Sequence, residues 1–320
     1  MIATKLTEAF GLRHPIVLAP MGGVAGGRIA AAVANAGGLG LVGGGYGDRD
    51  WVARELAIVT DGTRGPWGIG FITWSLRREV LDLALAQRPR AVMLSFGDPR
   101  PYARAIKDAG CMLICQVQGE DEARLAREAG ADFIVAQGTE GGGHGGSRST
   151  LPLVPAVVDW VAPTPVIAAG GIVDGRGLAA ALMLGAEGAL IGTRFCASDE
   201  ALGRDRQKAQ LVAARGGDTG RTRVFDIVRG YHWPAPYTGR ALRNRFTTQW
   251  DGREDALAAV LDIERTRYLT AADEDDYETA LVWAGEGVDL VRSVEPAATL
   301  VARIAAEAEA RLRESMRQVR

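Results

Sequence analysis

Eight short apolar runs, each but the last followed by a segment of helical period, succeed one another between Ile16 and Ile191, and nothing else in the chain restricts its fold so strongly. The runs are Ile16–Leu18, Leu39–Val42, Trp67–Phe71, Ala91–Leu94, Leu113–Val117, Phe133–Ala136, Val166–Ala169 and Ala189–Ile191. Helices are expected between them, near 27–36, 50–60, 76–87, 99–108, 121–129, 153–160 and 175–184. Strands that are apolar throughout are buried on both faces, as parallel sheets require. Strict β-α alternation leaves an open doubly wound sheet or a closed barrel, and eight units select the α/β class (β/α)8 TIM barrel.

The pattern changes after about Asp199. Residues 200–270 are charged and helical, with breaks at Arg215–Gly220 and at the loop Trp233–Gly239, which reads as a helical insertion or lid after the eighth strand. The expected division is therefore 1–200 and 275–320 for the barrel and its C-terminal helix, and 201–274 for the insertion. The tail from Pro296 reads as an amphipathic helix with Leu300, Ile304, Ala308 and Leu312 on one stripe, docked on the barrel.

Charge and composition exclude several classes. A formal net charge of −2 carries no general attraction to nucleic acid. No apolar run reaches the roughly 18 residues a membrane helix needs, and the N-terminus lacks the apolar core of a signal peptide. Three cysteines without CxxC spacing predict no disulfide or zinc framework, and a cytoplasmic protein fits. Cys111 and Cys115 are expected to pack as small apolar side chains. No metal site is expected, because no His/Asp/Glu cluster has ligand spacing. Glycine is the outlier, at 42 of 320 residues, about twice its usual share.

Those glycines fall where a barrel does its chemistry, at strand C-termini. The seventh strand runs into Gly170-Gly171-Ile172 and the eighth into Gly192-Thr193-Arg194. These are the two loops at which such barrels bind phosphate. Glycine lets backbone N–H groups approach an anion without a Cβ in the way, and the Thr193 hydroxyl can donate to it as well. Either loop alone could be an ordinary turn; both together predict a phosphate-bearing ligand. The first strand continues into Ala19-Pro20-Met21-Gly22-Gly23, which is not a GxGxxG fingerprint and suits a planar ring lying over exposed backbone. After the sixth strand, Gln137–Gly146 places His144, one of three histidines, in a glycine-rich loop at the catalytic face. Imidazole there can abstract a proton or donate to an oxyanion, the alternative being a solvent-exposed loop histidine. His14, before the first strand, is expected to be structural, and His232 to pack.

Taken in order, Pro15–Met21, Asn35–Gly40, Gln137–Gly146, Ala168–Ile172, Gly192–Phe195 and Trp283–Gly287 resemble the nitronate monooxygenase (2-nitropropane dioxygenase) family of FMN-dependent barrels, over nearly the whole chain. The resemblance implies FMN, with Ala19, Pro20 and Met21 against the isoalloxazine, Gly22 also binding the cofactor, and Gln116 and Gln137 at the ring and ribityl edge. Gly142 and Gly143 would also bind the cofactor, and Gly170, Gly171, Gly192 and Thr193 would hold its phosphate. His144 matches the family's catalytic histidine. Two departures stand out. Gly70 replaces the Asn of a common Gly-Val-Asn run and supplies only backbone. Gly141 replaces a common Ala, which predicts a looser His144 loop.

The implied reaction is oxidation of alkyl nitronates, or of nitroalkanes, with O2 to a carbonyl compound and nitrite. The alternatives are an NAD(P)H-dependent quinone or enoyl-thioester reductase on the same barrel, and a barrel that binds a phosphorylated metabolite without flavin. The expected partners are a small nitronate and O2, with neither nucleic acid nor membrane, and a homodimer is left open.

Overall fold

A computed structural model describes residues 2–318. The eight expected strands form one parallel sheet: β1 (Ile16–Leu18), β2 (Gly40–Gly45), β3 (Trp67–Ile72), β4 (Ala91–Ser95), β5 (Met112–Val117), β6 (Phe133–Gln137), β8 (Val166–Ala169) and β9 (Ala189–Ile191). Their order around the sheet is β1-β9-β8-β6-β5-β4-β3-β2. The ring closes between β1 and the residue preceding β2, where Leu18 N–H donates to Leu39 O and Leu39 N–H to Ile16 O, both at 2.9 Å. The fold is a (β/α)8 barrel.

The unbroken apolar strands have a simple cause. Successive side chains point to opposite faces, so each strand feeds two cores. Val17, Leu41, Ala91, Met93, Ile114, Val135, Ile167 and Leu190 fill the barrel interior. Their neighbours Ile16, Leu18, Val92, Leu94, Leu113, Cys115, Ile134 and Ala168 meet the surrounding helices. The helix Lys5–Phe10 plugs the bottom, its Phe10 ring 5.6 Å from that of Phe133. His14 lies at this end, its N–H bonded to Gly37 O at 3.0 Å. Cys111 and Cys115 are buried, and burial pushes the Cys115 thiol up to about 12.

Seven helices separate the strands: Gly27–Asn35, Arg49–Gly62, Arg78–Ala86, Arg100–Asp108, Glu120–Glu128, Thr150–Val161 and Gly175–Met183. The C-terminal helix Ala297–Gln318 docks as expected, burying Leu300, Ile304 and Ala308. It packs so closely on Gly175 that a Cβ there would lie 2.3 Å from Glu307 Cβ.

Residues 201–274 carry five helices: Asp205–Ala213, Val224–Arg229, Arg245–Trp250, Glu254–Ala259 and Leu261–Asp273. They also carry two strands, β10 (Thr219–Thr222) and β11 (Thr238–Leu242), absent from the sequence reading. These pair antiparallel with each other, and β11 pairs with β7 (Gly143–Gly145), the stretch that holds His144. TGRT and TGRAL contain glycine and arginine, so pairing rather than intrinsic preference makes them strands. The segment has its own small core around Val224, Phe225, Val228, Phe246, Trp250 and Tyr268.

Candidate functional site

A cavity of about 460 Å³ opens at the C-terminal ends of the barrel strands. That volume lies within the roughly 300–1,000 Å³ usual for cofactor and substrate sites. Every residue singled out for the site lines it: Ala19, Pro20, Met21, Gly22, Gly70, Gln116, Gln137, Gly142, Gly143, His144, Gly170, Gly171, Gly192 and Thr193.

Its floor is made of backbone in close contact. A Cβ on Gly43 would lie 2.3 Å from Met21 O, and one on Gly70 2.3 Å from Pro20 Cγ. The second distance gives the physical reason for the departure at position 70. With Pro20 seated there, an asparagine cannot occupy the site without displacing the β1 turn.

The strand 8–9 side has the backbone geometry that an anion cradle needs. Gly170 and Gly171 adopt φ +102° and +71°, conformations that strain any residue with a side chain. A Cβ on Gly170 would also lie 2.8 Å from both Gly138 O and Thr150 Oγ1. Among the described residues, neither the Gly171 N–H nor the Thr193 N–H finds an acceptor. Thr193 Oγ1 accepts from Gly285 N–H at 2.9 Å, which leaves its own hydrogen free to donate. The turn Trp283–Gly287 is wedged behind this cradle, with Glu286 N–H on Glu140 O at 2.9 Å and no room for a Cβ on Gly285. This donor set, built around bare backbone, fits a phosphate-bearing cofactor.

On the opposite wall Gln116 Nε2 donates to Gln137 Oε1 at 2.8 Å, fixing both amides at the cavity edge. Cys196 also lines the cavity, 3.2 Å from Met21 Sδ, and burial pushes its thiol up to about 12.

His144 is neither loose nor exposed, which corrects the expectation from Gly141. Glu140 accepts from Thr150 N–H at 2.9 Å and from Thr150 Oγ1 at 2.7 Å, anchoring the loop's start. Arg221 donates to Thr139 O at 3.0 Å and Gly145 O at 2.7 Å, and Arg240 to Thr139 O at 2.9 Å. Burial holds Arg221 down to about 10. The imidazole, with 8% of its side chain exposed, lies 2.8 Å through Nε2 from Asp226 Oδ2. It stacks on Trp233 with ring centres 3.4 Å apart and 7° between planes. Burial lowers the pKa of His144, and the hydrogen bond and charge of Asp226 oppose that without reversing it.

This chain matches the nitronate monooxygenase family over residues 3–77 and 72–307. The chain belongs to that family. Nitronate monooxygenase npaC of Metarhizium robertsii is 37% identical over 329 residues, covering 90% of this chain and 89% of that protein. The (3aS,4S,5R,7aS)-5-hydroxy-7a-methyl-1-oxo-octahydro-1H-indene-4-carboxyl-CoA dehydrogenase of Mycobacterium tuberculosis is 38% identical over 232 residues, 70% of this chain. The match spans 64% of that dehydrogenase's own length. Among solved structures, FabK from Thermotoga maritima superimposes with a TM-score of 0.90 at 30% identity, with both chains fully covered. The nitronate monooxygenase family is flavin-dependent, and this member is an oxidoreductase.

Family motifs do not account for the cavity's aromatic wall, which sequence reasoning missed. Tyr46 and Tyr231 stack at 4.0 Å, Trp233 Nε1 donates to Tyr46 Oη at 2.9 Å, and Phe96 meets Trp233 edge-on at 5.0 Å. Phe96 adopts φ +64°, an uncommon conformation for an aromatic residue, at the end of β4. His232, expected to pack, is instead exposed, and its neighbour Trp233 takes the buried position. Among the described residues no helix is long and apolar enough to cross a membrane, and no cluster of His, Cys, Asp or Glu could hold a metal.

Proposed function

We propose that this family member binds FMN and oxidises alkyl nitronates, and the parent nitroalkanes, with O2 to a carbonyl compound and nitrite. The observation that carries this reading is a buried imidazole in the same cavity as the anion cradle. Gly170, Gly171, Gly192 and Thr193 would take the phosphate, and Gly142 and Gly143 would lie beside the chain that leads from it. Ala19, Pro20, Met21, Gly22 and Gly70 would offer a flat surface to the ring, with Gln116 and Gln137 facing its polar edge. When bound, the flavin supplies the electron chemistry of the oxidation.

The chain's own residues do the rest. The aromatic wall of Tyr46, Tyr231 and Trp233 bounds an apolar space suited to an alkyl group. His144 removes the α-proton of a neutral nitroalkane: the C–H bond breaks, its electron pair stays on the substrate as the nitronate, and the ring takes the proton. With a ready-made nitronate no proton has to be removed, and this task of His144 falls away. Residues 201–274 act as a lid that brings Trp233 and Tyr231 over the barrel mouth. Replacing His144 by Ala is expected to lower nitroalkane turnover by about 10²-fold or more, with flavin content unchanged. Unchanged turnover of both nitroalkane and nitronate would exclude the assigned role.

A second reading has a specific support in the similarity to FabK and to the CoA dehydrogenase. On it the same flavin would be reduced by NAD(P)H. The two readings differ in the reductant, which is directly measurable.

A further inference from the structure

The aspartate behind His144 is the strongest feature that neither the family motifs nor the proposed reaction uses. We propose that Asp226 is the positioning residue of His144, holding its imidazole in the tautomer that turns Nδ1, as a lone pair, toward the cavity. This inference rests on the proton-abstracting role given to His144 above.

The argument starts from what a carboxylate can do. With the Asp226 carboxylate as acceptor, the 2.8 Å contact between Nε2 and Oδ2 places the hydrogen on Nε2. In a neutral ring the other nitrogen, Nδ1, then carries the lone pair. Among the described residues nothing hydrogen-bonds Nδ1, and the ring lines the cavity. Stacking on Trp233 and an edge contact with Trp283 at 5.1 Å fix the ring plane. Gly239, which pairs with His144 across β7 and β11, leaves room for these rings: a Cβ there would lie 2.4 Å from the Trp283 ring. The imidazole is therefore held in plane by aromatics and in tautomer by one carboxylate.

Asp226 is itself poorly explained as a structural residue. It is 3% exposed, and its second oxygen, Oδ1, is buried with no hydrogen-bond partner. A carboxylate kept only to hold the fold would be expected to have both oxygens satisfied. Here a single bond, to His144, accounts for its side chain. The residue does not line the main cavity; it lines a neighbouring depression with Arg223, His232 and Arg265, which shares Arg229, Tyr231 and Trp233 with that cavity. It can thus reach substrate only through His144.

The proton balance is straightforward. The substrate α-proton moves to Nδ1, giving an imidazolium whose Nε2–H stays bonded to Asp226; the aspartate takes no proton and its charge stabilises the cation. The charged groups acting on the ring are Asp226, which favours this cation, and Arg229 and Arg221, which oppose it.

The test uses the flavin-loaded enzyme and two substrates, a neutral nitroalkane and its preformed nitronate. Asp226→Asn is expected to lower kcat on the nitroalkane about 10²-fold, the low end of a positioned base's contribution. Turnover of the nitronate should change by no more than about threefold, since no proton is removed from it. The acid limb of the nitroalkane pH profile should move to lower pH, because the substitution removes the negative charge that raises the His144 pKa. Equal loss on both substrates, or an unmoved acid limb, would overturn the proposal. A second measurement needs no variant: ¹⁵N NMR of wild-type protein at neutral pH should show His144 protonated on Nε2 only, and an Nδ1–H tautomer would refute the assignment. If His144→Ala abolishes nitroalkane turnover while Asp226→Asn does not, only the role of Asp226 fails. If His144→Ala changes nothing, the proposed function fails with it.

Discussion

The cavity has two walls of opposite construction. The cradle at β8 and β9 is made of backbone: Gly170, Gly171, Gly192 and the Thr193 hydroxyl, each within a few residues of a strand end. The facing wall is made of large side chains, Tyr46, Phe96, Tyr231 and Trp233, two of them from the segment after the barrel. On the proposed function, the backbone cradle would hold the phosphate of the cofactor. A side-chain wall sets which substrate fits over it. Damage to the first should empty the site, and damage to the second should leave it loaded but misdirected.

The largest effect is expected at the cradle. Gly170→Val puts a branched side chain at φ +102°, where a Cβ would already meet Gly138 O at 2.8 Å. Strain of about 2–3 kcal/mol, relieved when the free loop leaves the binding shape, corresponds to roughly 30–150-fold weaker flavin binding. The purified variant should be nearly colourless, and a full flavin complement by absorbance would break the comparison. Trp233→Ala comes next. It removes the partner stacked on His144 and costs about 3–5 kcal/mol of stability, as buried aromatic truncations do. Thermal unfolding should fall several degrees and kcat/KM about tenfold or more, with flavin still bound; flavin loss equal to that of Gly170→Val would erase the distinction. Thr193→Val sharpens it from the cradle side. Losing one hydroxyl donor should weaken flavin binding by up to about tenfold, from a hydrogen bond worth about 1 kcal/mol, read by fluorescence titration. The smallest effect is in pH. Neutral imidazole is the active form, and burial lowers its pKa, so the acid limb of nitroalkane turnover should lie below 6.5. An acid limb above 6.5 would mean that Asp226 outweighs burial.

The two walls were unequally legible in the sequence. Gly170, Gly171, Gly192 and Thr193 are adjacent to the strands that place them, so counting β-α units was enough to bring them together. Gly70 was read as a missing asparagine, and its cause, the ring of Pro20 in that space, lies in a turn that no local pattern describes. Asp226 is 82 residues from His144 along the chain, and the strands that join them contain TGRT and TGRAL, weak strand formers. One signal was available. Asp226 is a lone acid inside the apolar run Val224–Val228, and such a residue is buried with a partner or not at all. The looseness expected of the His144 loop failed for the same reason: Arg221 and Arg240, which pin it, come from those unread strands.

The central claim, that the aromatic wall and His144 direct the flavin toward nitronates, is tested most directly by anaerobic titration of the flavin-loaded protein. The oxidised flavin bands should bleach on adding an alkyl nitronate and persist with NADH or NADPH. Bleaching by a nicotinamide while the nitronate leaves the bands unchanged would contradict the claim and assign the barrel to the reductases.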